Sequence, residues 1–133
     1  MRCLMELENN VYFWQKLDTL VLSGEVIIDR KKNSAHPTYP NLVYPVDYGY
    51  INDTRSQDGE GVDCFVGSGK KEEAQAVIVA VDILKKDIEI KIVLGCTSNE
   101  EEAILRFMNQ TDFQKTIVVR RGKEVPAWSE SDN

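Results

Sequence analysis

At 133 residues, with 42% apolar and 29% charged residues, the chain has the length and composition of a single globular domain spanning 1–133. A net charge of −6 excludes a general nucleic-acid binder, which depends on clustered lysine and arginine to displace counterions. No apolar run approaches the roughly 20 residues of a membrane helix, and residues 1–7 lack the apolar stretch and cleavage site of a secretion signal, so a cytoplasmic location without a membrane partner is expected.

The first predicted element is an amphipathic helix. Asn9 and Asn10 offer N-caps, Val11, Phe13, Trp14, Leu17, Leu20 and Val21 recur at helical spacing, and Gly24 offers a stop. Glu25 to Asp29 reads as a strand. Arg30 to Pro40 is a basic connection holding the sole histidine, His36, and Pro37, Pro40 and Pro45 keep it out of helix. Short strands are predicted at Tyr48 to Asp53 and Val62 to Val66.

Across the loop and into the second of these strands runs the densest negative charge in the first half of the chain: Asp58, Glu60 and Asp63 fall within six residues. Like charges a few ångströms apart repel by roughly 1 kcal/mol in water and about four times that near a protein surface. A hard divalent cation would balance them, and Gly59 and Gly61 would let the backbone turn around it. A solvated turn uses the same residue types, so the triplet alone leaves both readings open.

Ala76 to Leu84 is an almost continuous β-branched run, the pattern of a strand buried on both faces. Lys85, Lys86 and Asp87 turn the chain, and Glu89 to Leu94 alternates, which predicts a hairpin. Residues two apart on a strand point the same way, so Asp87, Glu89 and Lys91 share one face and Ile88, Ile90 and Ile92 the other. Ser98 to Gln110 reads as a packing helix with a serine cap, an acidic first turn, and Ile104, Leu105 and Met108 at helical spacing. Thr116 to Val119 is a last strand with a basic end at Arg120 and Arg121. Residues 1–8 and 125–133 are expected to be frayed. Cys3, Cys64 and Cys96 show no CxxC spacing, which predicts neither a zinc site nor a disulfide framework but free, buried thiols.

The run Tyr44-Pro45-Val46-Asp47-Tyr48-Gly49-Tyr50-Ile51, followed by Asp58-Gly59-Glu60-Gly61-Val62-Asp63, resembles the signature region of family I soluble inorganic pyrophosphatases. There a Tyr-Pro-x-Asn-Tyr-Gly-(Phe/Tyr)-Ile run precedes an Asp-Gly-Asp-Pro-x-Asp metal loop. Five or six short strands with a helix near each end predict an α+β domain around a small β-barrel, and the resemblance implies the oligonucleotide-binding type of barrel. It also implies hydrolysis of inorganic diphosphate with Mg²⁺, or Mn²⁺ in its place. The family hairpin carries Asp and then Asp-x-Lys; Asp87 and then Glu89-Ile90-Lys91 repeat that order.

By this resemblance Asp58, Asp63, Asp87 and Glu89 hold metal, Glu60 orients or deprotonates the attacking water, and Tyr48, Lys91 and His36 bind phosphate oxygens. Asp29 stands where the family's strand glutamate does. The implied partner is a small phosphorylated substrate, and a small homo-oligomer is expected. Several positions depart from the pattern. Glu60 replaces an aspartate, Gly61 a proline, and the family's arginine and late Tyr-Lys pair have no clear counterpart; Lys115, Arg120 or Arg121 are the candidates to stand in. These departures imply a weakened diphosphatase, a hydrolase of another small phosphorylated metabolite on the same metals, or a non-catalytic phosphate- and metal-binding module.

Overall fold

In the computed structural model, which describes residues 8–70 and 73–122, the first helix α1 runs Val11–Leu22. Asn10 caps it, its side chain accepting the Tyr12 N–H at 2.8 Å. The C-cap is Ser23 rather than Gly24. Gly24 is required for another reason: a Cβ there would lie 2.0 Å from the Asn52 carbonyl oxygen, so the residue lets helix and sheet approach closely.

Six strands follow: β1 (Val26–Arg30), β2 (Asp47–Ile51), β3 (Val62–Val66), β4 (Ala74–Asp82), β5 (Asp87–Leu94) and β6 (Gln114–Arg120), with the second helix α2 (Ser98–Met108) before the last. They form one mixed sheet in the order β1-β2-β3-β5-β4-β6, in which β3 and β5 are parallel and every other neighbouring pair is antiparallel. The α+β class and the two packing helices are as expected. The expected barrel is not closed, because β1 and β6 stand at opposite edges of the sheet. Helices complete the burial instead, one on each face. Trp14, Leu17, Leu20 and Val21 of α1 pack on Ile51, Cys64, Val77, Ile92 and Leu94. Ile104 and Met108 of α2 pack with Tyr48, Phe65, Ile78, Ala80 and Val93 on the other face.

The apolar run in β4 is buried on both faces only along its first half. Beyond Ile78 the face shared with α1 runs out from under that helix, and Val81, Ile88, Ile90, Ile117 and Val119 are exposed on three adjacent strands. β4 also ends two residues earlier than the run of apolar side chains predicts. Asp82 accepts the N–H groups of Leu84 and Lys85 at 2.9 Å each, which starts the turn before Ile83.

The cap of α2 is Thr97, not Ser98. Thr97 accepts the Glu100 N–H at 3.1 Å and Glu100 accepts the Thr97 N–H at 2.8 Å, a reciprocal capping box. Cys64 is buried in the sheet, whereas Cys96 is half-buried and its thiol is pushed up to about 12 by burial and then by Glu100 and Glu101, which keeps it protonated at neutral pH. The ends predicted to fray lie outside the described residues except for Glu8. Among the described residues no helix is long and apolar enough to cross a membrane.

Candidate functional site

Lys91 stands at the centre of the face covered by α2. β5 alternation puts Glu89 beside it, and the parallel register of Cys64 against Ile92 brings Asp63 of β3 across from it. Lys91 is only 7% exposed and its ammonium is held three ways: it donates to the Tyr48 Oη at 2.7 Å and to Asp63 Oδ2 at 3.3 Å, and lies 3.6 Å from Glu89 Oε2. A buried cation needs such partners, because an unpaired one costs several kcal/mol in lost hydration.

The Tyr48 phenol is held far above its ordinary pKa, first by burial and then by the Asp63 carboxylate, so it stays neutral. Its oxygen accepts from Lys91, and its O–H is directed to the Asp63 carboxylate, itself an anion. Arg30 joins from the end of β1, its guanidinium 5.5 Å from the Tyr44 ring centre and 5.7 Å from that of Tyr48, with a hydrogen bond to Tyr44 Oη. The alternation of β1 would point Arg30 with Ile28 toward α1. A bulge between Ile28 and Arg30 shifts the register and re-aims the side chain.

These groups line a cavity of about 390 Å³ that Arg30, His36, Tyr48, Asp63, Asp82, Lys85, Glu89 and Lys91 share with an aromatic wall from the 31–46 connection and the end of α2. The His36 ring lies nearly parallel to that of Tyr44, 9° apart with centres at 6.2 Å, and its Nδ1 accepts the N–H groups of Thr38 and Tyr39 at 3.0 and 3.3 Å. That acceptor role requires an unprotonated Nδ1. Burial, followed by the charges of Arg30, Lys85 and Lys91, lowers the His36 pKa and favours the neutral ring.

Of the residues singled out by sequence, Tyr48, His36, Asp63, Glu89 and Lys91 meet at this cavity, and Asp58, Glu60 and Asp87 do not line it. Asp58 is fully exposed in a tight turn. Its Oδ1 accepts the Ser56 hydroxyl and the Glu60 N–H, bonds that hold its carboxyl below the usual range, and Gly59 takes a φ of +87°. Asp87 faces Asp82 across the hairpin, and its Oδ1 is buried without a hydrogen-bond partner.

The late basic residues are occupied elsewhere. Arg120 pairs with Glu101 at 2.6 Å, Arg121 makes two bonds to Asp18 that tie α1 to the sheet, and Lys115 donates to the Asn109 carbonyl at 2.9 Å. Arg30 and Lys85 supply the positive charge at the cavity instead. A wider depression of about 730 Å³ over Gly69, Lys70, Cys96 and Arg121 shares no lining residue with the cavity around Lys91.

Among the described residues no three histidine, cysteine or carboxylate side chains converge as a ready-made metal cage. Asp63 and Glu89 approach Lys91 from two sides, which suits a different arrangement. Mg²⁺ is commonly held by one or two carboxylates plus the oxygens of a bound phosphate. The donor chemistry of this pair fits that mode.

The family profile for inorganic pyrophosphatase matches residues 28–124. Among solved structures, an inorganic pyrophosphatase from Neisseria gonorrhoeae shares 15% identity and a TM-score of 0.58, over 72% of this chain and 81% of that one. Those from Coxiella burnetii and Helicobacter pylori share 16% and 17% identity with TM-scores of 0.51 and 0.50, over 72% and 74% of this chain and 84% and 83% of theirs. No curated protein sequence matches. At such identities the structural likeness establishes the fold.

Proposed function

The chain belongs to the inorganic pyrophosphatase family, and from that premise we propose that it hydrolyses inorganic diphosphate to two phosphates at the cavity around Lys91. The observation that carries this reading is the buried ammonium shared by Tyr48, Asp63 and Glu89. Such a group stays buried at the cost of hydration, and an incoming phosphate gains a charge-assisted bond that is stronger than in water.

Lys91, Arg30 and Lys85 balance the anionic substrate, and the neutral Tyr48 phenol donates to a phosphate oxygen without adding charge. Asp63 and Glu89 would hold Mg²⁺ together with the substrate oxygens; when bound, that ion screens the phosphate charge and lowers the pKa of water. Asp58 and Asp87, which do not line the cavity, are assigned no part in that shell. Glu60 is proposed to orient the attacking water and take its proton. It lies three residues before Asp63 on the same segment, at most about 10 Å away along an extended chain, in a turn whose backbone is bonded to Ser56 and Asp58.

Phosphate release from inorganic diphosphate with Mg²⁺ tests the reading. Multiple turnover is expected, with a loss of about a hundredfold or more in Glu60→Gln. Absence of turnover with any divalent metal would end it, and binding of diphosphate without turnover would leave a non-catalytic phosphate-binding module.

His36 gives an independent readout of anion binding. Its folded pKa is lowered, so below pH 6.5 the unfolded chain binds more protons than the folded one, and the stability present above pH 6.5 is lost as the pH falls through the folded value. A bound diphosphate offsets the charges of Arg30, Lys85 and Lys91 that depress it. A proton NMR titration of the single histidine is therefore expected to give a pKa below 6.5 in the free protein and a higher one with diphosphate; an unchanged value would place the anion elsewhere.

The uncovered strip of Val81, Ile88, Ile90, Ile117 and Val119 supports self-association, since it continues the core already covered by α1 and presents aliphatic side chains on three paired strands. Light scattering is expected to give at least a dimer mass, reduced by Ile90→Lys. A monomer at micromolar concentration would contradict it.

A further inference from the structure

The cavity described above is lined by Arg30 and Lys91, which both lie against Tyr48, by Lys85, and by an apolar wall of Pro37, Tyr39, Leu42, Phe107 and Phe113. Tyr39 holds that wall together: its ring lies 5.6 Å from Phe113 and 5.3 Å from His36, both tilted near 43°, and it stays 38% exposed at the cavity mouth. A ligand with oxygen on every side gains nothing from aromatic faces. At about 390 Å³ the space is in the range that takes organic ligands of drug size, which are typically bound by an apolar wall and a few convergent polar groups.

We infer that the site also binds a nucleotide, with its phosphates at the Arg30 and Lys91 end and its base against the Tyr39 and Phe113 wall. This rests on the phosphate-site reading above and adds the class of the organic moiety. A planar base is the group assigned, because it can stack against tilted aromatic rings whatever its edge pattern, whereas the hydroxyls of a sugar phosphate gain little from those faces. Stacking of one base on an aromatic side chain contributes roughly 1–3 kcal/mol, which corresponds to about a 5- to 150-fold change in affinity.

Calorimetry on the full chain with Mg²⁺, using as separate probes ADP and, in place of hydrolysable diphosphate, its analogue imidodiphosphate, tests this. ADP is expected to bind, Tyr39→Ala to weaken ADP about tenfold, and the affinity for imidodiphosphate to stay within twofold. Phe113→Leu, which keeps an apolar side chain under the wall, is expected to weaken ADP in the same direction and guards against a Tyr39 variant that fails to fold. Binding of imidodiphosphate but not of ADP would overturn the inference while leaving the diphosphatase reading intact. So would ADP binding that neither variant weakens, since the wall would then be only structural. Failure of both probes to bind would remove the inference and the phosphate site together.

Discussion

Lys91→Met is expected to reduce kcat/KM for diphosphate by about 10²–10³-fold, the usual loss when one charged donor is removed from a water-poor site. Methionine fills the space of the lysine stem without its charge. Asp63 and Glu89 then lose the ammonium they share, so the variant loses an attraction for the phosphate and leaves more net negative charge beside it. The effect on folding is smaller. The two carboxylates are 35% and 28% exposed, so water can reach them, and a loss of about 1–2 kcal/mol is expected rather than the 3–5 typical of a fully buried pair. Steady-state kinetics and urea unfolding on one preparation separate the two effects. Lys91→Arg is expected to recover little activity, because a planar guanidinium does not occupy the compact position between Tyr48 and the carboxylates. Activity within a few-fold of wild type in Lys91→Met would reduce the residue to a strand tether.

Gly49→Ala is expected to destabilise the fold by more than about 3 kcal/mol. In β2, Gly49 lies opposite Ile28 of β1, and a Cβ there would sit 1.8 Å from the Ile27 carbonyl oxygen and 3.0 Å from the Ile28 Cα. Those atoms are backbone, so no rotamer change relieves the clash and the two strands have to part. The function goes with them, since β1 delivers Arg30 and β2 delivers Tyr48 to the same cavity. A urea midpoint for Gly49→Ala close to that of wild type would mean that β1 and β2 are not paired in this register.

Much of this arrangement is legible in the sequence because it rests on short-range periodicity. The alternation Glu89-Ile90-Lys91 puts both charged side chains on one face of β5, and the helical spacing in α1 and α2 selects the residues that cover the sheet. The aromatic run around Tyr48 marks the strand that carries the phenol. What escaped the reading depends on single events in three dimensions. Arg30 reaches the cavity only through a bulge, and a one-residue shift of register leaves no mark in composition. Asp82 lies inside an apolar run and Lys85 just beyond it, and neither stands out because the turn begins at an aspartate side chain rather than where the hydrophobicity ends.

The acidic triplet divides along the same lines. Asp63 lies on β3 and points with Phe65 toward α2, whereas Ser56, Asp58 and Gly59 satisfy one another locally in an exposed turn, the arrangement that local charge density alone does not distinguish from a metal loop. Edge effects account for the rest. Whether six strands close into a barrel depends on contacts between the first and the last, and whether Ile88 and Ile90 are covered depends on how far α1 extends across the sheet.

Crystals grown with Mn²⁺ and imidodiphosphate, which resists hydrolysis, place the ion and the anion directly. The expected result is anomalous density at the Asp63 and Glu89 carboxylates with a phosphate group on Lys91 Nζ and the Tyr48 hydroxyl. Manganese confined to the Asp58 and Glu60 turn, with no phosphate in the cavity, would contradict the account.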